Sequence, residues 1–317
     1  MRKLIAIALT AFLCASPRFV AASEILNVAV PDRGAWDSFY TEFGLQQGFF
    51  KEEGLDVRIT YVADQAALES VLVSGKVDIA VGAGFADILG AWAHGAPVKI
   101  ISPESTGAPD VFWFGKIAGP VASVGDLHGQ AVGYSAPDSL TYFILRTLLK
   151  EAGVDDARLV AVGPAASGYP QVLDAQLAAS WSRPPANVNY LLAGEIRIIA
   201  RANDSPQVLN ETTRVNAVNA NFLASHRGAV IGFLNAYKKS VDWAYSSQLA
   251  LDAYAQLSGQ SSDVAKYIFK EFTSRDGAQI DLIKGEDRVL AEALVAKRIP
   301  HALTHEDIEG VYDFVAK

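Results

Sequence analysis

The chain has 317 residues, of which half are apolar and a fifth are charged, a composition typical of a globular protein rather than a disordered or fibrous one. This length suits two compact domains or one large domain. The formal net charge of −8 disfavours nucleic acid as a partner, because binding to a phosphate backbone depends mainly on basic residues.

The N-terminal segment has the pattern of a secretory signal peptide. Arg2 and Lys3 precede an apolar run over residues 4–13 that is too short to span a bilayer, and small residues at positions 20–22 form a cleavage site. We therefore predict export and cleavage after Ala22, with a short membrane anchor as the less favoured alternative. The single cysteine, Cys14, lies in this segment. The mature chain therefore has no disulfide, thiolate nucleophile or cysteine-ligated metal.

The first part of the mature chain predicts a parallel strand–helix–strand unit. The predicted strands cover residues 25–30, 55–62, 77–81 and 98–102, and residues 103–107 are predicted to break the last of them. A helix that begins near Trp36 and ends at Gly54 separates the first two strands, and a helix over residues 64–74 separates the second from the third. Ligands of open α/β sheets bind outside the carboxyl ends of the strands. The loop after the first strand therefore makes Trp36 and Asp37 candidate ligand contacts. Trp36 is equally suited to the core, whereas capping a helix is the favoured role for Asp37.

Two motifs in this unit carry a resemblance to a known family. Residues 48–57 read Gly-Phe-Phe-Lys-Glu-Glu-Gly-Leu-Asp-Val, and residues 74–80 read Ser-Gly-Lys-Val-Asp-Ile-Ala. At this spacing they resemble the solute-binding proteins of ABC importers for nitrate, taurine and alkanesulfonates, which are grouped with the NMT1/THI5-like proteins. The resemblance extends over residues 25–276. It implies an α/β protein of the type II periplasmic-binding-protein fold, in which two domains joined by a two-crossing hinge enclose a solute.

The resemblance also implies where the domains begin and end. After a signal peptide at residues 1–22, a discontinuous first domain takes residues 23–110 and 215–317, and a second domain takes residues 111–214. The chain is expected to cross between them near residues 103–118 and 203–218. The C-terminal part of the first domain is predicted to be mostly helical, at residues 227–245, 249–257, 263–272 and 289–296 and from residue 304.

A glycine-rich turn is predicted to form one lip of the cleft between the domains. Residues 82–84 read Gly-Ala-Gly at the end of the third strand, where the backbone can approach another group closely. Phe85 begins the helix predicted for residues 85–93. We therefore take Gly82, Gly84 and Phe85 as candidate ligand contacts.

Hydroxyl side chains are predicted to form the opposite lip. A strand at residues 131–134 leads into a long helix that opens near Ser139, and a helix N-terminus with hydroxyls is a good receptor for an anion or polar group. In the resembling family the matching Ser-x-Thr stretch touches the ligand, which makes Ser139 and Thr141 candidate contacts. An ordinary helix cap is the alternative role for Ser139.

Trp113 and Trp181 are the aromatic candidates of the second domain. Trp113 lies on the opposite face of its predicted strand from Phe112 and Phe114, so one face belongs to the core and the other to the cleft. Trp181 follows residues 175–180, where the chain departs from the family pattern Gly-x-Val/Ile-Asp-Ala-Ala and lacks its acidic residue. Trp181 is suited equally to the cleft wall and to the core.

The sequence predicts no catalytic residue, no metal site and no cofactor. It contains no His-Glu-x-x-His motif, and its glycines match neither a phosphate-binding loop nor a dinucleotide fingerprint. THI5-like enzymes that make a thiamine precursor are the enzyme alternative within the family. They are disfavoured because their resemblance includes a cysteine-rich iron-binding stretch and an intracellular setting.

We therefore expect a monomeric periplasmic binding protein rather than an enzyme. It would capture a small organic solute, namely a sulfonate, an aromatic acid or a pyrimidine-like compound, and deliver it to the permease and ATPase subunits of an ABC importer. Trp36, Trp113 and Trp181 favour a flat or apolar solute over a bare inorganic anion. A periplasmic sensor that uses the same cleft, and a secreted enzyme, are the alternatives.

Overall fold

The computed structural model describes residues 23–278 and 280–314, which form two five-stranded sheets covered by helices. The predicted signal peptide, with Cys14, lies outside the described residues. Within the described part of the chain, no helix is both long enough and apolar enough to cross a membrane.

The first sheet has the strand order β2-β1-β3-β10-β4. β1 pairs in parallel with β2 and β3, whereas β10 runs antiparallel to both of its neighbours. Its strands are β1 (Glu24–Pro31), β2 (Leu55–Val62), β3 (Ile79–Gly84), β4 (Val98–Thr106) and β10 (Thr212–Asn219). We call this sheet with the helices packed on it, at residues 24–106 and 212–314, the first lobe.

The second sheet has the strand order β7-β6-β8-β5-β9. β6 pairs in parallel with β7 and β8, and β5 runs antiparallel to β8 and β9. Its strands are β5 (Phe112–Lys116), β6 (Ala131–Tyr134), β7 (Arg158–Ala161), β8 (Ala179–Ser182) and β9 (Ile196–Arg201). We call this sheet with its helices, at residues 112–209, the second lobe.

Helices of the first lobe precede and follow the excursion of the chain into the second lobe. The first lobe contains α1 (Tyr40–Gln47), α2 (Phe49–Glu52), α3 (Gln65–Val73), α4 (Phe85–Ala93), α9 (Ala220–Ser246), α10 (Leu249–Ser258), α11 (Ser262–Phe272), α12 (Glu286–Val295) and α13 (His305–Ile308). The second lobe contains α5 (Leu140–Glu151), α6 (Gly168–Leu173), α7 (Val188–Leu192) and α8 (Pro206–Leu209).

The prediction of a single helix between the first two strands is wrong. A 3-10 turn at Asp37–Phe39 precedes α1, and Gly48, with φ of 78°, separates α1 from α2. Only a residue without a side chain adopts this left-handed conformation at little cost. Gly54 adopts a φ of 76° and leads directly into β2, as the sequence predicts.

β4 is longer than predicted. The sequence predicts a break at Pro103, but the strand continues to Thr106 because its pairing with β10 shifts register around this proline. A bulge of this kind accommodates a residue that has no N–H to donate to the ladder.

The chain crosses between the lobes twice, between β4 and β5 and between β9 and β10. β10 joins the first sheet at Thr212, so Thr212 and Arg214 pair with β4 although the sequence assigns residues 111–214 to the second domain. The exact division into domains stays a prediction. One hydrophobic core cluster runs across both lobes, where Phe112 of β5 packs on Phe272 of α11 with ring centroids 4.9 Å apart.

Candidate functional site

A small cavity lies between the lobes, near the carboxyl ends of β1 and β3. It measures about 30 Å³ and is lined by Trp36, Asp37, Glu104 and Arg214 from the first lobe and by Pro184 from the second. A second cavity of about 10 Å³ shares Asp37, Glu104 and Arg214 with it. Since one water molecule needs roughly 10–15 Å³ by this measure, a solute can enter only when the lobes separate. The structure therefore shows a closed arrangement.

Arg183 of the second lobe reaches across the cleft to carboxylates of the first lobe. It follows β8 directly, and its Nη1 donates to Asp32 Oδ2 at 2.8 Å while its Nη2 donates to both oxygens of Asp37 at 3.1 Å. Its Nε donates to Asp110 Oδ2 at 2.7 Å, in the first crossing between the lobes. The Arg183 side chain is only 10% exposed. These bonds therefore tie the second lobe to the first at a largely buried point.

Arg214 completes the charge network from the first lobe. It lies in β10 and donates from Nη2 to both oxygens of Asp110, at 3.2 and 3.1 Å, and from Nη1 to Asp37 Oδ2 at 3.2 Å. Burial raises the pKa of Asp110, but Arg183 and Arg214 outweigh it and hold this pKa below its ordinary value. We call Asp32, Asp37, Asp110, Arg183 and Arg214 the interlobe network.

Glu104 of β4 lies beside the interlobe network but bonds to none of its members. Its side chain is 2% exposed, and within the described part of the chain its Oε2 has no hydrogen-bond partner. Burial and the nearby charges of Asp37 and Asp110 raise the pKa of Glu104 to about 8, although Arg214 and Arg183 act against the shift. Leaving such a buried acceptor unpaired costs about 1–3 kcal/mol, so a hydrogen-bond donor beside this carboxyl would be stabilising.

Trp36 forms the aromatic wall of the cavity. The residue is 4% exposed, and its ring packs against Phe269 at 4.8 Å and Tyr254 at 5.1 Å between centroids. Its Nε1 is buried without a hydrogen-bond partner among the described residues. Trp36 thus belongs to the core and also lines the cavity, and its contact with a ligand stays a prediction. Asp37 likewise lines both cavities.

Three of the predicted contacts lie in hydrophobic cores instead of lining either cavity. Trp113 is fully buried and its Nε1 donates to Gly133 O at 3.0 Å, because its side of β5 faces the core of the second lobe. Trp181 is 8% exposed and its Nε1 donates to Gly163 O at 3.1 Å. Phe85, the first residue of α4, is buried in a hydrophobic core of the first lobe. The structure thus places all three against protein rather than at the cavity.

Gly82 lines the smaller cavity, whereas Gly84 lines neither cavity. Gly82 has a φ of 69°, and an added Cβ there would lie 3.9 Å from Glu104 Oε2. Gln65 of α3 fixes this turn, since its Nε2 donates to Gly82 O and its Oε1 accepts from Gly84 N, each at 3.0 Å. The glycine turn therefore brings backbone close to the unpaired carboxyl.

Ser139 and Thr141 bond to one another instead of lining the two cavities. Ser135 Oγ lies 2.9 Å from Ser139 Oγ and 2.7 Å from Thr141 Oγ1, and Ser139 caps α5 by accepting from Tyr142 N. The predicted alternative for Ser139, a helix cap, is thus what the structure shows. The cluster still faces the first lobe, because Arg298, paired with Asp87, donates to the neighbouring Asp138 O at 3.2 Å.

Four charged residues of the site are not among the predicted contacts, namely Glu104, Asp110, Arg183 and Arg214. Asp110 lies in the first predicted crossing, residues 103–118, as does Glu104, and Arg214 lies in the second, residues 203–218. Charged residues in segments that pass between domains are the signal that could have identified these three. Arg183 had a weaker signal, as the residue that follows the strand containing Trp181.

Among the described residues one cluster, His128, Asp155 and Asp156, brings potential ligand atoms within 4.8 Å of one another. All three are exposed, and His128 Nδ1 already lies 2.9 Å from Asp156 Oδ1. Such exposed groups are common on protein surfaces, and they lie outside the two cavities.

The comparisons with known proteins agree on one family and one fold. The family model described as NMT1/THI5 like matches residues 42–249. No curated protein sequence gives a significant match. The solved structures that resemble this chain include the periplasmic aliphatic sulphonate-binding protein SsuA from Escherichia coli, with a TM-score of 0.73 and 17% identity over 88% of this chain and 90% of that one.

Two further structures extend the same likeness. The alkanesulfonate-binding protein SsuA from Xanthomonas axonopodis pv. citri, bound to MOPS, has a TM-score of 0.71 and 16% identity over 92% of this chain and 99% of that one. The nitrate-binding protein NrtA from Synechocystis PCC 6803 has a TM-score of 0.68 and 13% identity over 92% and 86%. At these identities the likeness establishes the fold, and the predicted type II periplasmic-binding-protein fold is confirmed.

Proposed function

Because the chain belongs to the NMT1/THI5-like family, we propose that it is the solute-binding component of an ABC importer. The observation that supports this proposal best is the interlobe cavity, which joins an aromatic wall to buried charged groups at the point where the lobes meet. A cleft with an apolar lining and a few fixed polar groups is the usual form of a small-molecule site.

The proposed mechanism is a hinge motion around the two crossings. A solute enters when the lobes are apart; Trp36 contacts its body and the buried charged groups hold its polar atoms. Closure then restores the contacts from Arg183 to the first lobe and encloses the solute. No bond is made or broken, so the protein releases the solute unchanged and does not act as an enzyme.

The proposed setting follows the predicted signal peptide. The chain would be cut after Ala22 and act in the periplasm as a monomer that delivers its solute to permease and ATPase subunits. The named relatives bind aliphatic sulphonates or nitrate. For this chain the proposed solutes are sulfonates, aromatic acids or pyrimidine-like compounds, since the Trp36 ring suits a flat body better than a bare anion.

Isothermal titration calorimetry of the mature chain tests the proposal. The panel contains organosulfonates, aromatic carboxylates, pyrimidines and nitrate, each titrated into wild type, Asp37→Ala and the surface control Asp155→Ala. We expect one organic class to bind wild type and the control equally. A solute that donates an N–H group to Asp37 should bind Asp37→Ala about 10- to 100-fold more weakly, as expected for a lost hydrogen bond to a charged group, whereas a sulfonate or a carboxylate should lose no affinity. Tight nitrate binding without an organic ligand would contradict the proposed solute class, and conversion of a bound solute would contradict a binding role.

A further inference from the structure

Resting on the proposed function, the geometry points to a more specific solute class: we propose that Glu104 and Asp37 receive a positively charged N–H group of a small organic solute. An amine, an amidine or a protonated amino-heterocycle has this chemistry, whereas a sulfonate or an aromatic acid does not. Among the solutes proposed above, the pyrimidine-like compounds that carry an amino group belong to this class.

The charges around the cavities favour a cation. Arg183 and Arg214 are the cationic side chains among the described residues that line them, and both guanidinium groups already donate to carboxylates. An anionic solute would have to displace Asp37 or Asp110 from these arginines. Among the groups that line the cavities, Asp37 and Asp110 balance the two arginines, so ionisation of Glu104 leaves the site short of positive charge.

Two buried polar atoms without partners indicate which hydrogen bonds the solute makes. Glu104 Oε2 is an acceptor without a partner, and Trp36 Nε1 is a donor without a partner, within the part of the chain that the structure describes. Both residues line the same cavity. A solute that donates to the carboxylate and accepts from the indole satisfies both atoms. An indole ring also attracts a cation over its face, which favours the same class.

Binding of a cation is expected to release a proton from Glu104. Burial raises the pKa of Glu104 to about 8, so at neutral pH the carboxyl is mostly protonated until a cation lies beside it. The charged groups that act on it are Asp37, Asp110, Arg183 and Arg214. Three neighbouring tyrosines stay neutral because burial raises their pKa values, namely Tyr40, Tyr237 and Tyr245. Affinity should therefore rise up to tenfold per pH unit below about pH 8 and level off above it.

The test compares three probes that share one ring and differ in charge. Benzamidine is cationic from pH 6 to 8.5, whereas benzoate and benzenesulfonate are anionic. Each is titrated by calorimetry in two buffers with different ionisation enthalpies, so that proton release is measured directly. The variants are wild type, Glu104→Gln, and Glu211→Gln as a matched control, because Glu211 is also buried with a pKa raised to about 8 but lies outside both cavities.

We expect benzamidine to bind wild type more tightly than either anion, with proton release that disappears above pH 8. Glu104→Gln should lower benzamidine affinity at pH 8 at least tenfold and abolish proton release, while Glu211→Gln keeps both. A tighter anion, unchanged affinity in Glu104→Gln, or no binding of benzamidine overturns the cation proposal. The proposed function fails separately, if no solute of either charge binds and none co-purifies with the protein.

Discussion

Replacing Arg183 with alanine should open the lobes. Arg183 is the second-lobe residue that bonds to Asp32 and Asp37 of the first lobe, and its side chain is 10% exposed. Without it, Asp37 and Asp110 remain largely buried in the closed arrangement with Arg214 as their remaining arginine partner. In the open arrangement the same carboxylates can be hydrated. The substitution therefore penalises the closed arrangement more than the open one.

The structure allows the size of this effect to be bounded. Removing one partner of a buried ion pair costs about 3–5 kcal/mol. We take the lower end, about 3 kcal/mol, because Asp32 is 43% exposed and Arg214 still neutralises part of the charge. Since 1.36 kcal/mol changes an equilibrium tenfold, the ratio of closed to open molecules should fall roughly 100-fold.

Spin labels on the two lobes measure this ratio. The mature chain is predicted to have no cysteine, so Ala63→Cys in the first lobe and Ala136→Cys in the second give a unique labelling pair. Both positions are exposed and follow strands at the cleft, β2 and β6. Double electron–electron resonance of the labelled protein then reports the distance between the lobes.

Arg197→Ala is the matched control for Arg183→Ala. Arg197 is also in the second lobe, but it donates to Val121 O and Gly119 O of the same lobe, at 3.1 and 2.7 Å. We expect Arg197→Ala to keep the short wild-type distance and Arg183→Ala to show a longer one. If both variants and wild type share one distance distribution, the interlobe network does not hold the lobes together.

Three further predictions concern stability. Wild type should lose stability as pH rises from about 5 to 8, because the folded-state pKa of Glu104, about 8, lies above its unfolded value and the folded chain holds the proton more tightly. Unfolding in guanidinium should show a smaller loss over this pH range for Glu104→Gln. Arg298→Ala should cost about 1–3 kcal/mol at pH 7, since it leaves Asp87 buried without its cation, and Asp87→Asn should recover part of this in a double-mutant cycle. Trp113→Phe should lower stability by about 1 kcal/mol, because the hydrogen bond to Gly133 O is lost, and should leave solute affinity unchanged in calorimetry. Weaker solute binding by this variant would show that Trp113 contributes to the site.

Local patterns were enough to predict most of the fold. The strand periodicity, and glycines such as Gly54 with its left-handed backbone, act over a few residues, and the structure shows the predicted alternation of strands and helices in both sheets. The predictions at Pro103 and before Gly48 failed because pairing with β10 and a glycine break inside a helical pattern overrode the local preference.

The site was harder to predict because its members are far apart in the chain. Asp37, Glu104, Arg183 and Arg214 meet only after both crossings form, and no short-range pattern encodes their pairing. The alternation of Trp113 with Phe112 and Phe114 predicts that they lie on opposite faces of their strand, but it does not say which face belongs to the core. Burial of Trp113 against Gly133 shows that a large aromatic ring with one polar atom satisfies a core position equally well.

Mass spectrometry of the small molecules that co-purify with the protein tests the central claim most directly. The protein is purified under native conditions and denatured, and the released compounds are compared between wild type, Asp37→Ala and the control Asp155→Ala. We expect one intact organic solute, bearing a basic nitrogen, in wild type and the control and depleted in Asp37→Ala. A solute present equally in all three proteins, or one recovered only as a chemically converted product, would contradict solute capture in the interlobe cavity.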